Sequence, residues 1–549
     1  MPKCSYYTHP HTHPTENTRT MPPDLIARLL HHAEHRPQRW ALREGDRELD
    51  YAELARRVLA MAAALRQVGI KPQARLVVWA NKRLETVVAL LAALAADIVF
   101  VPLHPALRAP QVRDIFKRAQ AHGLLVDAPH AAALVFSEPF TGQLRFSPHP
   151  DQIPHDLPEA EASTHPPSLS NGDPDHLAAL LYTSGSTGLP KGVMVTRANL
   201  NCGASAVSRY LDLNASDELL AVLPLSFDYG LSQLTTALTV GAGVTLRDYL
   251  LPNDLKKPLL EGGITVLAGT PGLLIPLSQQ GWLSEAPALR LITNSGGKLP
   301  VATVRALRSA RPQTQIFLMY GLTEAFRASF LPPEEVDAHP DSIGRAFAGS
   351  HLELVDATGR LLPAHEAGEG ELVQGGPLVT AGYFNDPEAT ALRFRIAPAG
   401  WPHAGDERVV YSGDCIRRDA QGRLYFLGRM DEQIKSQGMR VSPEEVESVA
   451  LQFEGVTEAL AFGYQTDDDN TRIGLVVAPQ TIDVDALQTW LRARLAPFQM
   501  PAAIVAVHAL PRSNNGKLDR QASRTLFLDR LATRFETPAP GRNSGTLAP

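Results

Sequence analysis

The chain has 549 residues, too many for one hydrophobic core, so two or more folded units are expected. Its 44% hydrophobic and 20% charged residues are ordinary for a globular protein, and a formal charge of −6 supplies no basic field, which argues against a nucleic-acid partner. Three scattered cysteines, Cys4, Cys202 and Cys415, form no disulfide framework and no zinc spacing, which fits a reducing, cytoplasmic setting.

Residues 1–22 carry Pro, His and Thr without periodicity; a disordered tail is expected there, with Met21 an alternative start and no apolar secretory segment. From Asp24 a helical pattern runs through Leu25, Ile26, Leu29 and Leu30. His31-His32-Ala33-Glu34-His35 has the letters of an inverted zincin motif, but it lies in a chain with 18 histidines whose other motifs describe different chemistry. The longest apolar run, Val87 to Leu103, contains Asp97 and Pro102 and falls short of the roughly 20 residues of a membrane span. It reads as a core helix followed by a strand. Strand-like runs at Leu76–Trp79, Ile98–Leu103, Leu124–Val126, Leu219–Leu223, Thr265–Leu267 and Ile316–Met319 alternate with helical patterns. That alternation predicts an α/β protein with parallel sheets covered by helices. Residues 148–176, rich in Pro, His, Asp and Ser, read as a surface loop. A boundary is expected near 428–431, and Ser442-Pro443-Glu444-Glu445 predicts a capping box opening a helix in a small α/β unit that ends near residue 530. The expected division is a tail over 1–22, a large domain over 23–428, a small lid domain over 429–536 and a frayed tail over 537–549.

Residues 181–192, Leu-Tyr-Thr-Ser-Gly-Ser-Thr-Gly-Leu-Pro-Lys-Gly, carry the most chemistry. Thr183, Ser184, Gly185, Ser186, Thr187 and Gly188 are all glycine or hydroxyl residues, and Lys191 follows. Backbone N–H groups, hydroxyls and one ammonium together suit a polyphosphate. The apolar run Leu177 to Leu181 predicts a buried strand feeding this loop. A Walker A loop is excluded, because Pro190 precedes the lysine and no Gly-Lys-Ser/Thr follows at the required spacing. Gly241-Ala242-Gly243 lacks the third glycine of a dinucleotide fingerprint, and no Gly-x-Ser-x-Gly elbow occurs.

The segment resembles the phosphate-binding signature of the adenylate-forming superfamily: acyl-CoA synthetases, peptide-synthetase adenylation domains and luciferases. Its companion motifs follow in order as Tyr320-Gly321-Leu322-Thr323-Glu324, Tyr411-Ser412-Gly413-Asp414, Gly428-Arg429-Met430-Asp431 and Asn515-Gly516-Lys517-Leu518-Asp519-Arg520. The match runs from about residue 23 to about residue 530 and is closest to the AMP-forming acyl-CoA ligases found with exosortase systems. The resemblance implies a large N-terminal domain of parallel-sheet layers with a β subdomain, and a small mobile C-terminal α/β domain. It implies ATP, Mg²⁺ and CoA, or the phosphopantetheine of a separate acyl or peptidyl carrier. By the same resemblance, residues 183–188 with Lys191 hold the β- and γ-phosphates. Tyr320 and Gly321 lie at the adenine, Thr323 bonds the α-phosphate and Glu324 ligates Mg²⁺. Asp414 accepts the ribose hydroxyls, and Arg429 reaches ribose or phosphate. Asp431 is the hinge, and Lys517 bridges substrate carboxylate and α-phosphate. Ser295-Gly296-Gly297 lines the acyl and adenine pockets, and Gly438 lines the thiol tunnel after the small domain turns.

Two features of the acid pocket point in different directions. Phe227-Asp228 resembles the peptide-synthetase pattern, in which the Asp anchors a substrate ammonium, as does Asn-Gly-Lys-Leu-Asp-Arg. Gln433 to Pro443 resembles the acyl-CoA ligase form. Arg327, close after the adenine motif, is expected at the surface, with contact to a second substrate carboxylate as the alternative. An acid–CoA ligase is therefore the principal reading. The alternatives are an amino-acid adenylating enzyme that loads a separate carrier and a non-catalytic nucleotide-binding relict. A luciferase-like oxygenase is not excluded by sequence.

Overall fold

The computed structural model describes residues 24–133, 143–145, 172–183, 190–356, 358–364, 366–406, 408–430, 434–466, 470–511 and 519–535. Both predicted tails, most of the 148–176 loop, and Ser184 to Gly188, Asp431 and Lys517 lie outside the described residues.

All six predicted strand runs form strands, and they sort into two sheets. A six-stranded sheet runs in the order Gln143–Arg145, Gly123–Val126, Arg75–Trp79, Val99–Pro102, Leu177–Thr183, Lys191–Thr196; the first five are parallel and the last is antiparallel. A nine-stranded sheet has six parallel strands at its centre: Gln315–Tyr320, Leu291–Asn294, Val266–Gly269, Glu218–Ala221, Gly243–Leu246 and Trp40–Glu44. Antiparallel strands Ser329–Leu331 and Arg47–Asp50 flank this core. Both sheets are near-continuous in buried Val, Ile and Leu, as strands covered on both faces must be.

The run from Val87 to Leu103 resolves as predicted into the helix Leu84–Ala95 and the strand Val99–Pro102. In that helix every residue but Glu85 is buried. It touches Arg75–Trp79 and Val99–Pro102 of one sheet and Trp40–Glu44 of the other, so it fills the layer between them. No described helix is long and apolar enough to cross a membrane.

The first helix, Leu25–His35, starts where Asp24 predicts, and the Asp24 side chain accepts from the Ile26 N–H. The same carboxylate meets the buried Arg197 guanidinium at 2.9 Å, so one residue both caps a helix and ties it to the helix Arg197–Tyr210. On this helix His32 is buried against Tyr51, while the His31 and His35 rings lie one turn apart, tilted, with centres 4.1 Å apart. Among the described residues no group of three or more metal-ligating side chains exists.

A separate β layer holds His351–Val355, Gly368–Gly375, Arg408–Arg418, Phe394–Ile396 and Leu424–Arg429. Beyond it come the hairpin Ile434–Ser436/Met439–Val441, the helix Pro443–Ala450, and a three-stranded sheet of Glu458–Gln465, Thr471–Ala478 and Ala503–Ala506 with its own apolar cluster. The predicted capping box does not form: the Ser442 side chain makes no cap hydrogen bond, and the Glu445 carboxyl reaches the side chains of Gln499 and Gln111 instead.

Candidate active site

Strands Leu177–Thr183 and Lys191–Thr196 form an antiparallel hairpin whose register sets Thr183 opposite Lys191. The glycine- and hydroxyl-rich segment is thus the connection between two strands, unlike a Walker A loop, which joins a strand to a helix. The Lys191 ammonium lies 5.3 Å from the centre of the Tyr383 ring, and the Tyr383 hydroxyl donates to Glu324 Oε1 at 2.7 Å. Thr183, Lys191 and Glu324 therefore belong to one polar edge. Glu324 is buried on a single 3₁₀ turn, Thr323–Ala325, held by the N–H and hydroxyl of Thr380 donating to its carbonyl, each at 2.9 Å.

Asp414 comes from the β layer. A register shift between Cys415 and Ile416 interrupts its strand there, and Glu371 Oε1 accepts from the Gly413 N–H at 2.8 Å. The side chain is fully buried and accepts a hydrogen bond from the Tyr320 hydroxyl. Arg429 is the Cα partner of Asp414 on the neighbouring strand.

A cavity of about 140 Å³ joins these parts. Thr183, Phe227, Asp228, Ser295, Gly296, Gly297, Tyr320, Gly321, Thr323 and Gly438 all line it. Asp414 stands one hydrogen bond behind Tyr320, and Glu324 directly follows Thr323. Residues from sequence positions 183 to 438 converge because the strand ends Thr183, Asn294 and Tyr320 open onto one crevice, as ligand sites in parallel sheets do.

The small domain closes one side. Gln437 and Gly438, with φ of 52° and 79°, form the two-residue turn of the hairpin, whose tip reaches Thr270 of the large domain. A Cβ on Gly438 would stand 3.0 Å from Thr270 Oγ1 and Cγ2, so a larger residue needs Thr270 to give by a few tenths of an ångström, and the positive φ favours glycine as well.

The cavity also takes in His104, Lys435, Glu445 and Gln499, to none of which the sequence assigned a role in the site. Burial holds the His104 imidazole down at about 4, with Lys82 adding to the effect, so it is neutral at physiological pH. Glu445 lies between the domains, beside the Gln111–Gln499 hydrogen bond of 2.8 Å. Burial, with help from Asp114, lifts its carboxyl from 4.5 to about 7, against the opposing hydrogen bonds from Gln499 and Gln111. A separation of the two domains would return this carboxyl to its ordinary range and release the proton. Docking carries no penalty below about pH 4.5, weakens as pH rises toward 7, and is flat above. A fluorescence-transfer pair across the two domains will show the docked population falling over that window in the wild type. Glu445→Gln will abolish the pH dependence; equal slopes in both proteins would refute it.

The expectation for Arg327 is overturned: it is 2% exposed and lines the cavity. The strands Gln315–Tyr320 and Ser329–Leu331 form an antiparallel hairpin, and Phe326 takes a φ of 53° in its loop. The loop then doubles back so tightly that a Cβ on Gly321 would meet the Phe326 carbonyl oxygen at 2.7 Å. Arg327 Nη1 donates to the Phe326 carbonyl at 3.0 Å and to Asp228 Oδ2 at 3.5 Å.

A layered α/β large domain, a smaller C-terminal domain and a cavity at their junction define the adenylate-forming architecture. The chain belongs to the AMP-binding enzymes: that family's sequence pattern matches residues 29–384, and the AMP-binding enzyme C-terminal domain matches 445–517. That match places it in the adenylate-forming superfamily. It is 31% identical over 496 residues to the phosphinothricin tripeptide synthetase PhsC of Streptomyces viridochromogenes, covering 89% of this chain and 44% of that protein. The chain therefore spans less than half the length of such curated relatives. Among solved structures it resembles the o-succinylbenzoate CoA synthetase of Bacillus subtilis (TM-score 0.78, 24% identity, 92% of this chain and 98% of that one). It also resembles PA1221, a nonribosomal peptide synthetase protein with adenylation and carrier domains (TM-score 0.77, 26% identity, 93% and 84%). These relatives span both acyl-CoA ligases and peptide-synthetase adenylation domains, and they do not single out the exosortase-associated subgroup.

Proposed function

We propose that this enzyme activates a carboxylic acid with ATP and Mg²⁺ as an acyl-adenylate, releases pyrophosphate, and transfers the acyl group to the thiol of CoA. A carboxylate repels nucleophiles; joining it to AMP installs a good leaving group. The observation that carries the reading is the single cavity in which the phosphate edge, the adenine-side Tyr320, the acid pocket at Phe227 and Asp228, and the Gly438 turn all meet.

Thr183, Lys191 and residues 184–188 would hold the β- and γ-phosphates, and Thr323 the α-phosphate. Tyr320 would offer its ring to adenine, and Asp414 and Arg429 would hold the ribose. Ser295, Gly296 and Gly297 leave room between acid and nucleotide. Glu324 supplies a carboxylate oxygen at the phosphate edge, the donor type a hard ion takes when phosphates and waters complete its shell. Bound there, Mg²⁺ would neutralise phosphate charge. Lys517 would bridge the acid and the α-phosphate before the small domain turns about Asp431. Catalysis then rests on positioning and fixed charge.

A second reading, amino-acid adenylation for a separate carrier, draws support from Phe227-Asp228 and from the tripeptide synthetase relative. Against it, Asp228 already faces the Arg327 cation within the chain. ATP–pyrophosphate exchange across a panel of acids and amino acids, run on wild type and Asp228→Ala, decides between them. Simple acids will exchange, and the variant will retain them. Selective loss of amino-acid exchange in the variant would establish the second reading. No exchange with any acid would leave a nucleotide-binding relict.

A further inference from the structure

Arg327 lines the cavity beside Asp228, and the adenylation scheme does not use its chemistry. Its side chain is 3% exposed and Asp228's is 5% exposed. The guanidinium lies over the Tyr229 ring, its central carbon 4.6 Å from the ring centre. Nη1 serves Asp228 and the Phe326 carbonyl. Nε and Nη2 have no hydrogen-bond partner among the described residues. The neighbouring Tyr210 hydroxyl donates to Met319 Sδ at 3.1 Å and also lies against the Arg327 guanidinium. Leaving buried charged donors unmet costs more than the same groups contribute when paired.

The unmet nitrogens are not a random pair. Nε and Nη2 form the side-on edge of a guanidinium, two parallel N–H groups whose spacing matches the two oxygens of a carboxylate. Asp228 sits at the other end of the cation, so a ligand carboxylate can use this edge without displacing it. Phe326, at a φ of 53°, and the close return over Gly321 hold the arginine in the pocket wall. A backbone conformation that L side chains rarely adopt persists where surrounding structure enforces it.

We propose that the acid activated by this enzyme carries a second carboxylate, which docks side-on against Nε and Nη2 of Arg327. The proposal deepens the acid-ligase reading above and rests on it. Arg327 thereby determines specificity: one end of a dicarboxylic acid is presented to ATP while the other is held by the guanidinium. An α-amino acid fits poorly, because its ammonium would compete with Arg327 for Asp228.

The test is ATP–pyrophosphate exchange by the full chain with length-matched sets: α,ω-dicarboxylic acids of four to eight carbons, their half-amides, the parent monocarboxylic acids, and α-amino acids. Wild type will prefer at least one diacid over its matched monoacid by about tenfold to a hundredfold in kcat/KM, the range for charge-assisted hydrogen bonds. In Arg327→Gln that preference will vanish, through a raised KM for the diacid, while exchange with the monoacid persists. Asp228→Asn/Arg327→Gln, which leaves no unpaired charge, repeats the measurement should the single variant fold poorly. Arg327→Lys will recover part of the diacid preference at most, since an ammonium lacks the fork. Wild-type exchange that favours monoacids, half-amides or amino acids would overturn the proposal, as would equal loss of diacid and monoacid exchange in the double variant. Exchange with no acid at all would instead defeat the adenylation reading, and this proposal with it.

Discussion

Gly438→Leu will leave ATP–pyrophosphate exchange within about twofold of wild type and lower thioester formation by roughly a hundredfold or more. Two costs combine. Leucine at a φ of 79° is strained by about 1–3 kcal/mol. Its Cβ would also stand 3.0 Å from Thr270, so Thr270 or the turn must give, and forcing extra methylenes into such a contact costs about 1–3 kcal/mol. The hairpin tip therefore backs away from the cavity wall, or the added side chain fills the path of the thiol. Both outcomes affect only the orientation in which this tip is seated. Exchange measured without CoA, beside CoA-dependent thioester release, separates the half-reactions. Parallel loss of both activities, or of neither, would show that the turn does not face the thiol.

Lys517→Ala will have the complementary effect: adenylation falls by roughly a hundredfold or more, as for a lost transition-state contact, and thioester formation from preformed acyl-adenylate survives. Negative charge grows around the α-phosphorus as the carboxylate attacks. On the large domain, Lys191 sits at the phosphate edge beside Tyr383 and Glu324, and a second cation at the α-phosphorus would add to it. Lys517 precedes the helix Arg520–Phe535 of the small domain and is proposed to supply it. Supplying synthetic acyl-adenylate and CoA to the variant is the decisive measurement. Equal impairment of both steps would remove Lys517 from its assigned role. Together the two substitutions assign one face of the small domain to each half-reaction.

Much of the architecture was legible because it is written locally. Periodic apolar runs at Leu76–Trp79 and Ile316–Met319 announce strands whose two faces are both covered. Asp24 announces a helix start by its capping chemistry. The segment from Thr183 to Lys191 excludes a core role by composition alone, and Pro190 excludes a Walker A loop.

Arg327 illustrates the opposite limit. A charged residue three positions beyond Glu324 has no periodic context, and exposure is the ordinary outcome for arginine. Its burial follows from the hairpin register of Tyr320 with Ser329 and from the turn at Phe326, which bring it to Asp228, 99 residues earlier in the chain. Glu445 teaches the same lesson. Its spacing from Ser442 satisfies the capping-box pattern, but Gln111 and Gln499 compete for its carboxyl and prevail. The identities and spacings of residues along the chain determined the element types and the family. Tertiary structure alone decided which side chains face the acid and which join the two domains, because those contacts are made between residues that no local periodicity connects.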